Sequence, residues 1–190
     1  MQIANRNRFL LALGANQAAS VPENAAVVRR ALAMIERAFG GTIRASRLYQ
    51  TPAFPAGAGP DFVNACALAD SALGPQDALE ALHAIEAAMG RVRRERWGAR
   101  VIDLDLLAAG DAILPDEAQL RQWMDLPAAQ QPSLAPDRLI LPHPRLHERA
   151  FVLVPLADVA SEWRHPLLGD SVQTLLEALD PALRAEIRPI

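Results

Sequence analysis

The chain has 190 residues, 51% hydrophobic and 22% charged, with a formal net charge of −3. That length and apolar content suffice for one core in one domain, and the acidic balance argues against a general nucleic-acid binder. No apolar run reaches the roughly 18–20 residues that span a bilayer, and residues 1–8 lack the apolar stretch of a secretory signal.

One cysteine, Cys66, cannot form an internal disulfide and suits a reducing compartment, so a cytoplasmic location and a buried structural thiol are expected. All 19 basic residues are arginine. Any phosphate must therefore be held by guanidinium forks, backbone amides or metal, and never by a P-loop lysine.

Residues 9–13 form a short apolar run that ends in Gly14-Ala15-Asn16, a strand entering a turn. Apolar residues at helical spacing predict a helix over 22–39, stopped by Gly40-Gly41. A strand is expected over 42–49 and a loop over 51–60, which holds three prolines and two glycines. A second long strand covers 62–69. A helix follows over 75–89, with Pro75 at its start and Gly90 past its end. Residues 101–108 read as a strand. The order β-α-β-β-α-β predicts an α+β domain of the ferredoxin-like split type, an antiparallel sheet with both helices on one face.

The remainder is less regular. Residues 113–137 are rich in Pro, Gln and Asp, with one short helical pattern over 116–124, where Asp116 is placed as N-cap and Leu120, Trp123 and Met124 share a side. Residues 139–141 are a strand candidate. Two further helices are expected over 145–160 and 171–179. Trp163 and His165 read as packing or surface.

The chemistry concentrates in Val101-Ile102-Asp103-Leu104-Asp105-Leu106-Leu107. On a strand, Ile102, Leu104 and Leu106 share one face while Asp103 and Asp105 share the other, about 6.5–7 Å apart. Such a pair suits a hard cation such as Mg²⁺, together with phosphate oxygens and water. Standing alone, an Asp-x-Asp is more often the solvated face of a half-buried strand. Here Arg91, Arg93, Arg94, Arg96 and Arg100 lie just upstream, with Trp97-Gly98 among them. A charge run is usually a solvated surface, yet carboxylates beside guanidinium groups also fit a polyphosphate. Neither G-x-x-x-x-G-K-[ST] nor G-x-G-x-x-G occurs, which excludes the P-loop and protein-kinase classes.

Asn64 shares a strand face with Phe62 and Cys66. It reads either as a strand-edge polar residue or as part of a planar-heterocycle pocket. His143 and His147 are spaced to share a helix face, but no third ligand stands at zinc spacing. His143, between Pro142 and Pro144, is a rigidly placed donor. An RNA-binding ferredoxin-like sheet would need stacking aromatics on residues 9–13 and 101–107, which have only Phe9. A nucleotidyltransferase or glycosyltransferase with its own Asp-x-Asp is a further alternative.

The block Arg91-Val92-Arg93-Arg94-Glu95-Arg96-Trp97-Gly98-Ala99-Arg100-Val101-Ile102-Asp103-Leu104-Asp105 resembles the signature of the 6-hydroxymethyl-7,8-dihydropterin pyrophosphokinase family. Leu13-Gly14-Ala15-Asn16, Tyr49-Gln50-Thr51-Pro52, Asp61-Phe62-Val63-Asn64-Ala65, Leu141-Pro142-His143-Pro144 and Arg149-Ala150-Phe151 extend the resemblance over nearly the whole chain. It implies transfer of the β,γ-diphosphoryl group of ATP to the pterin hydroxymethyl oxygen, release of AMP, and a role in folate synthesis. Asp103 and Asp105 would hold two Mg²⁺ ions. Arg91 and Arg100 would stabilise charge in the transferring group. Arg93, Arg138, His143 and Arg149 would surround the triphosphate, with Glu86 near the nucleoside. Thr51, Pro52, Phe54 and Asn64 would line the pterin pocket, the ring stacked between Phe62 and Phe151 with Trp97 nearby. Partners would be these small molecules, with no nucleic acid or membrane, and the protein would be a monomer. Ala15 and Ala99 replace a common serine and proline at sites that need no reactive side chain. Residues 115–136 lengthen a connection that is short in typical members by roughly 18 residues, and are expected to be a peripheral appendage.

Overall fold

The computed structural model describes residues 6–52, 60–91, 101–127, 129–130 and 134–190. Strand β1 (Asn7–Ala15) leads into helix α1 (Val21–Phe39), then short strands β2 (Ile43–Ala45) and β3 (Tyr49–Thr51) and the long β4 (Phe62–Ser71). Helix α2 (Pro75–Ala88), β5 (Asp103–Ala109), α3 (Glu117–Met124), α4 (Ala150–Ala160), α5 (Val172–Ala178), α6 (Pro181–Ala185) and β6 (Arg188–Pro189) follow. The domain is mixed α and β. Its sheet runs β5-β1-β4-β3-β6, with β2 also paired to β4, and every pair of strands is antiparallel. Among the described residues no helix is long and apolar enough to cross a membrane.

Helix ends follow local chemistry. Ser20 caps α1 through the Glu23 amide, Pro22 sits in its first turn, and Gly40 ends it at φ 62, a left-handed conformation that costs glycine little.

Alternation along β1 splits the core in two. Phe9, Leu11, Leu13 and Ala15 pack with Val28 and Ile35 of α1 and Leu82 and Ile85 of α2. Leu10 faces the other way, into Cys66, Leu107, Val152, Leu153, Leu156 and Val172. The later helix α4, with α5 packed against it, thus covers the second sheet face, and of the helices α1 and α2 lie on the expected one. Each layer removes a set of Leu, Val and Ile side chains from water, at about 25 cal/mol per Å² of apolar surface.

Four expectations change. The strand expected over 42–49 is broken, because the chain from Ala45 to Tyr49 has one residue more than the opposing stretch of β4 from Ala67 to Asn64. This bulge reverses the alternation. Ile43 and Leu48 face α1 and α2, whereas Tyr49 and Thr51 face the side of α4. The helix expected over 145–160 is divided into a 3-10 turn, Leu146–Glu148, and α4, because Arg149 is extended at φ −99, ψ 105. His143 precedes that turn, so it shares no helix face with His147. Residues 139–141 contribute one bridge, Leu141 to Leu114, rather than a strand. The C-terminal α6 and β6, too short to show a periodic pattern, were not expected from the sequence.

Candidate active site

Residues paired across a sheet share a face, so the register alone gathers the site. Gly14 of β1 pairs with Asp103 on one side and Asn64 on the other; Ala12 pairs with Asp105 and Cys66. Asp103 and Asn64 are two strand spacings apart, roughly 10 Å. Tyr49 pairs with Asn64, and Thr51 with Phe62. All of these lie on the α4 side of the sheet.

The alternation expected of the Asp-x-Asp strand holds. Ile102, Leu104 and Leu106 are buried, while the Asp103 and Asp105 side chains are 26% and 38% exposed. An irregularity at Leu10/Leu11 then leaves Leu107 without a β1 partner, so Leu107 and Ala108 both enter the second core.

Charged and polar groups approach these carboxylates from three segments. Arg91, just after α2, has Nη1 2.8 Å from Asp103 Oδ1 and bonds Glu86 through the same nitrogen. Glu86 is only 2% exposed and also accepts the Leu104 amide at 2.8 Å, joining α2 to β5. Burial pushes the Glu86 carboxyl up, against the opposing pull of the Leu104 amide and Arg91. It is set to orient Arg91. Arg149, at the start of α4, has Nη1 3.9 Å from Asp105 Oδ2. His143 is tied to the edge of β5 by its amide, 2.7 Å from the Leu107 carbonyl. Its Nδ1 accepts from the Arg145 amide at 3.1 Å, leaving Nε2 to carry the proton of the neutral ring. Burial, then the nearby Arg149 charge, drives its pKa down to about 3.

Farther along the same face, Asn64 Nδ2 donates to Thr51 Oγ1 at 2.6 Å, and both residues are buried. One such contact uses only part of an amide's capacity for donating and accepting. Gly14 makes room for it: a Cβ at that position would lie 2.6 Å from Asn64 Oδ1. The sequence carries Gly14 as the start of a turn and within the Leu13-Gly14-Ala15-Asn16 motif; its role beside Asn64 depends on the register. Phe62 is half-buried, Pro52 is exposed, and Phe151 is 36% exposed with the Arg149 guanidinium carbon 5.6 Å from its ring centre. Arg138 Nε lies 3.4 Å from Oδ1 of its neighbour Asp137. Phe54, Arg93, Trp97 and Arg100 lie outside the described residues.

Among the described residues no three His, Cys, Asp or Glu side chains form a metal cluster. Two part-exposed carboxylates are nevertheless the donor set that suits Mg²⁺, which is commonly held by one or two carboxylates together with substrate phosphates.

Residues 10–161 match the family model of 7,8-dihydro-6-hydroxymethylpterin-pyrophosphokinase (HPPK). The chain belongs to the HPPK family. A 2-amino-4-hydroxy-6-hydroxymethyldihydropteridine pyrophosphokinase of Methylorubrum extorquens is 37% identical over 176 residues, covering 92% of this chain and 95% of that one. Proteins of the same name from Synechocystis and Pseudomonas aeruginosa are 39% and 45% identical, over 64% and 56% of this chain. The matched stretches span only 52% and 54% of those two relatives. In fold the chain resembles a solved HPPK-DHPS structure from Plasmodium falciparum, with TM-score 0.65, 17% identity, and coverage of 91% of this chain and 44% of that one.

Proposed function

We propose that this HPPK-family chain transfers diphosphate from ATP to 6-hydroxymethyl-7,8-dihydropterin for folate biosynthesis. The observation that carries this reading is the row Asp103–Gly14–Asn64 across one sheet face, which sets a carboxylate-and-arginine cluster roughly 10 Å from a buried amide pocket. A polyphosphate and a planar heterocycle would lie there side by side.

Asp103 and Asp105 would hold two Mg²⁺ ions, which when bound neutralise phosphate oxygens. Arg91 and Arg100 meet charge that grows as the hydroxymethyl oxygen bonds Pβ in line and the bond from Pβ to the α,β-bridging oxygen breaks, releasing AMP. Arg93, Arg138, His143 and Arg149 hold the triphosphate. His143 does so as a neutral Nε2–H donor. Glu86, which the resemblance would set near the nucleoside, contributes chiefly by holding Arg91. Asn64 and Thr51 meet the pterin ring edge, Phe62 and Phe151 stack on its faces, and Pro52, Phe54 and Trp97 complete the pocket.

The ferredoxin-like split topology is part of the same reading, supported by the order β5-β1-β4-β3 with antiparallel neighbours. So is the assignment of residues 115–136 as an insertion outside the site.

The test is incubation of pure protein with ATP, Mg²⁺ and 6-hydroxymethyl-7,8-dihydropterin, followed by product identification. AMP and a diphosphorylated pterin are expected. Free diphosphate or a transferred nucleotide would overturn the reading in favour of another Asp-x-Asp transferase.

A further inference from the structure

We propose that Arg47, Tyr49 and Asp158 form a positioning clamp that sets the spacing between the two walls of the pterin pocket; this rests on the pocket assigned above. One wall is the sheet, carrying Thr51, Phe62 and Asn64. The other is the first turn of α4, carrying Phe151. The two belong to segments far apart in the chain, so their spacing depends on how α4 is fixed to the sheet.

The clamp joins them directly. Asp158 Oδ2 accepts from the Tyr49 hydroxyl at 2.9 Å, from the Arg47 amide at 3.1 Å and from Arg47 Nε at 3.1 Å; Oδ1 accepts from Arg47 Nη2 at 2.8 Å. These four bonds fill the usual acceptor capacity of a carboxylate. The Arg47 guanidinium also lies 5.4 Å from the Tyr49 ring centre. Tyr49 is 2% exposed, so its hydroxyl is a buried donor that must find an acceptor. Burial, then Asp158, pushes the Tyr49 pKa up to about 12, which keeps the phenol a donor at neutral pH. Burial would raise the Asp158 carboxyl, but the Arg47 and Tyr49 hydrogen bonds outweigh it and hold it below the usual range.

Placement ties this cluster to the pocket. Tyr49 and Thr51 are two residues apart on β3 and share a face, and Asn64 is paired to the first and hydrogen-bonded to the second. Asp158 follows Phe151 by two helical turns, roughly 10 Å, on the same side of α4. Between these points Cys66 Sγ contacts the Val152 carbonyl at 3.5 Å, and beyond them Arg44 donates to the Val159 carbonyl. Apolar packing alone would leave α4 free to slide slightly along the sheet. A carboxylate with four donors on β3 and the preceding bulge fixes one position.

The experiment compares wild type with Tyr49→Phe, Asp158→Asn and the double variant, measuring Tm, kcat and both KM values. Tyr49→Phe retains the ring and removes only the hydroxyl, so it keeps the test alive should Asp158→Asn fail to fold. Each single variant is expected to raise the pterin KM about tenfold, with kcat and the ATP KM within about twofold. The double variant should be no worse than the poorer single one, because both break one contact. A lowered Tm with an unchanged pterin KM, or equal rises in both KM values, would overturn the clamp while leaving the assigned activity in place. A wild-type protein that does not turn over the pterin would overturn both.

Discussion

Single residues carry most of the chemistry. If Asp103 and Asp105 hold Mg²⁺ as proposed, removing either carboxylate would take away metal positioning on which phosphoryl transfer depends for charge neutralisation. Asp103→Ala and Asp105→Ala should fold normally yet lose on the order of 10³-fold or more in rate. Circular dichroism with steady-state kinetics checks both halves, and near-normal turnover in both variants would refute the metal assignment. Gly14 makes a different demand. In Gly14→Ala the new methyl must displace Asn64 Oδ1, which stands 2.6 Å from its ideal position. The pterin KM should rise about tenfold, roughly 1.4 kcal/mol, with ATP affinity unchanged by calorimetry. A matching loss of ATP affinity would show that the strain spreads into the carboxylate cluster. Sequence reading reached Asp103, Asp105 and Asn64 because alternation assigns strand faces. It could not show that Gly14 makes room for Asn64, a partner fifty residues away.

Among the elements, α3 tests how far local pattern suffices. It forms where the 116–124 pattern placed it, with Asp116 accepting the Gln119 amide at 2.9 Å and Leu120 fully buried. Trp123 is only half-buried and lines a groove with Leu126 and Leu134. Asp116→Ala should cost about 1 kcal/mol by loss of the cap, and Leu120→Ala about 2–5 kcal/mol by loss of a buried side chain. The two ends of this excursion are joined by the Leu114–Leu141 bridge, through bonds of 2.9 and 3.0 Å. Replacing residues 116–135 with a short Gly-Ser link should therefore preserve the reaction. It should change kcat or the ATP KM by about tenfold at most, roughly 1.4 kcal/mol. A folded deletion variant that binds ATP but is inactive would place an essential group in the segment.

At the scale of the whole molecule, two helical layers enclose the sheet, and the outer loops contribute to stability. His165 is fully buried in the loop before α5. Its Nδ1 accepts from the Leu167 and Leu168 amides at 3.3 Å each, and its Nε2 has no hydrogen-bond partner among the described residues. Burial first, then His147, lowers its pKa to about 4. The folded state therefore binds this proton less readily than the unfolded chain, whose histidines titrate near 6.5. Its contribution is fully present above pH 6.5 and is lost as pH falls towards 4. The slope is up to about 1.4 kcal/mol per pH unit. His165→Asn retains an acceptor for the amides but does not titrate, so its denaturation midpoint should fall less steeply over that window. An unchanged slope would show that other groups dominate.

The sequence by itself determined helices α1, α2, α3 and α5, the long strands β1, β4 and β5, and the faces of Asp103, Asp105 and Asn64. These follow from periods of 3.6 and 2 and from caps and breakers, all expressed within a few residues. The family, too, was legible in contiguous motifs. The tertiary structure alone decided which strands became neighbours and where the bulge after Ala45 fell. That bulge turns Tyr49 and Thr51 towards α4, because one extra residue reverses every later side chain on a strand. It also decided that α4 should start only after Arg149, leaving that arginine 3.9 Å from Asp105. Contacts between distant segments set these outcomes, and no local pattern encodes them.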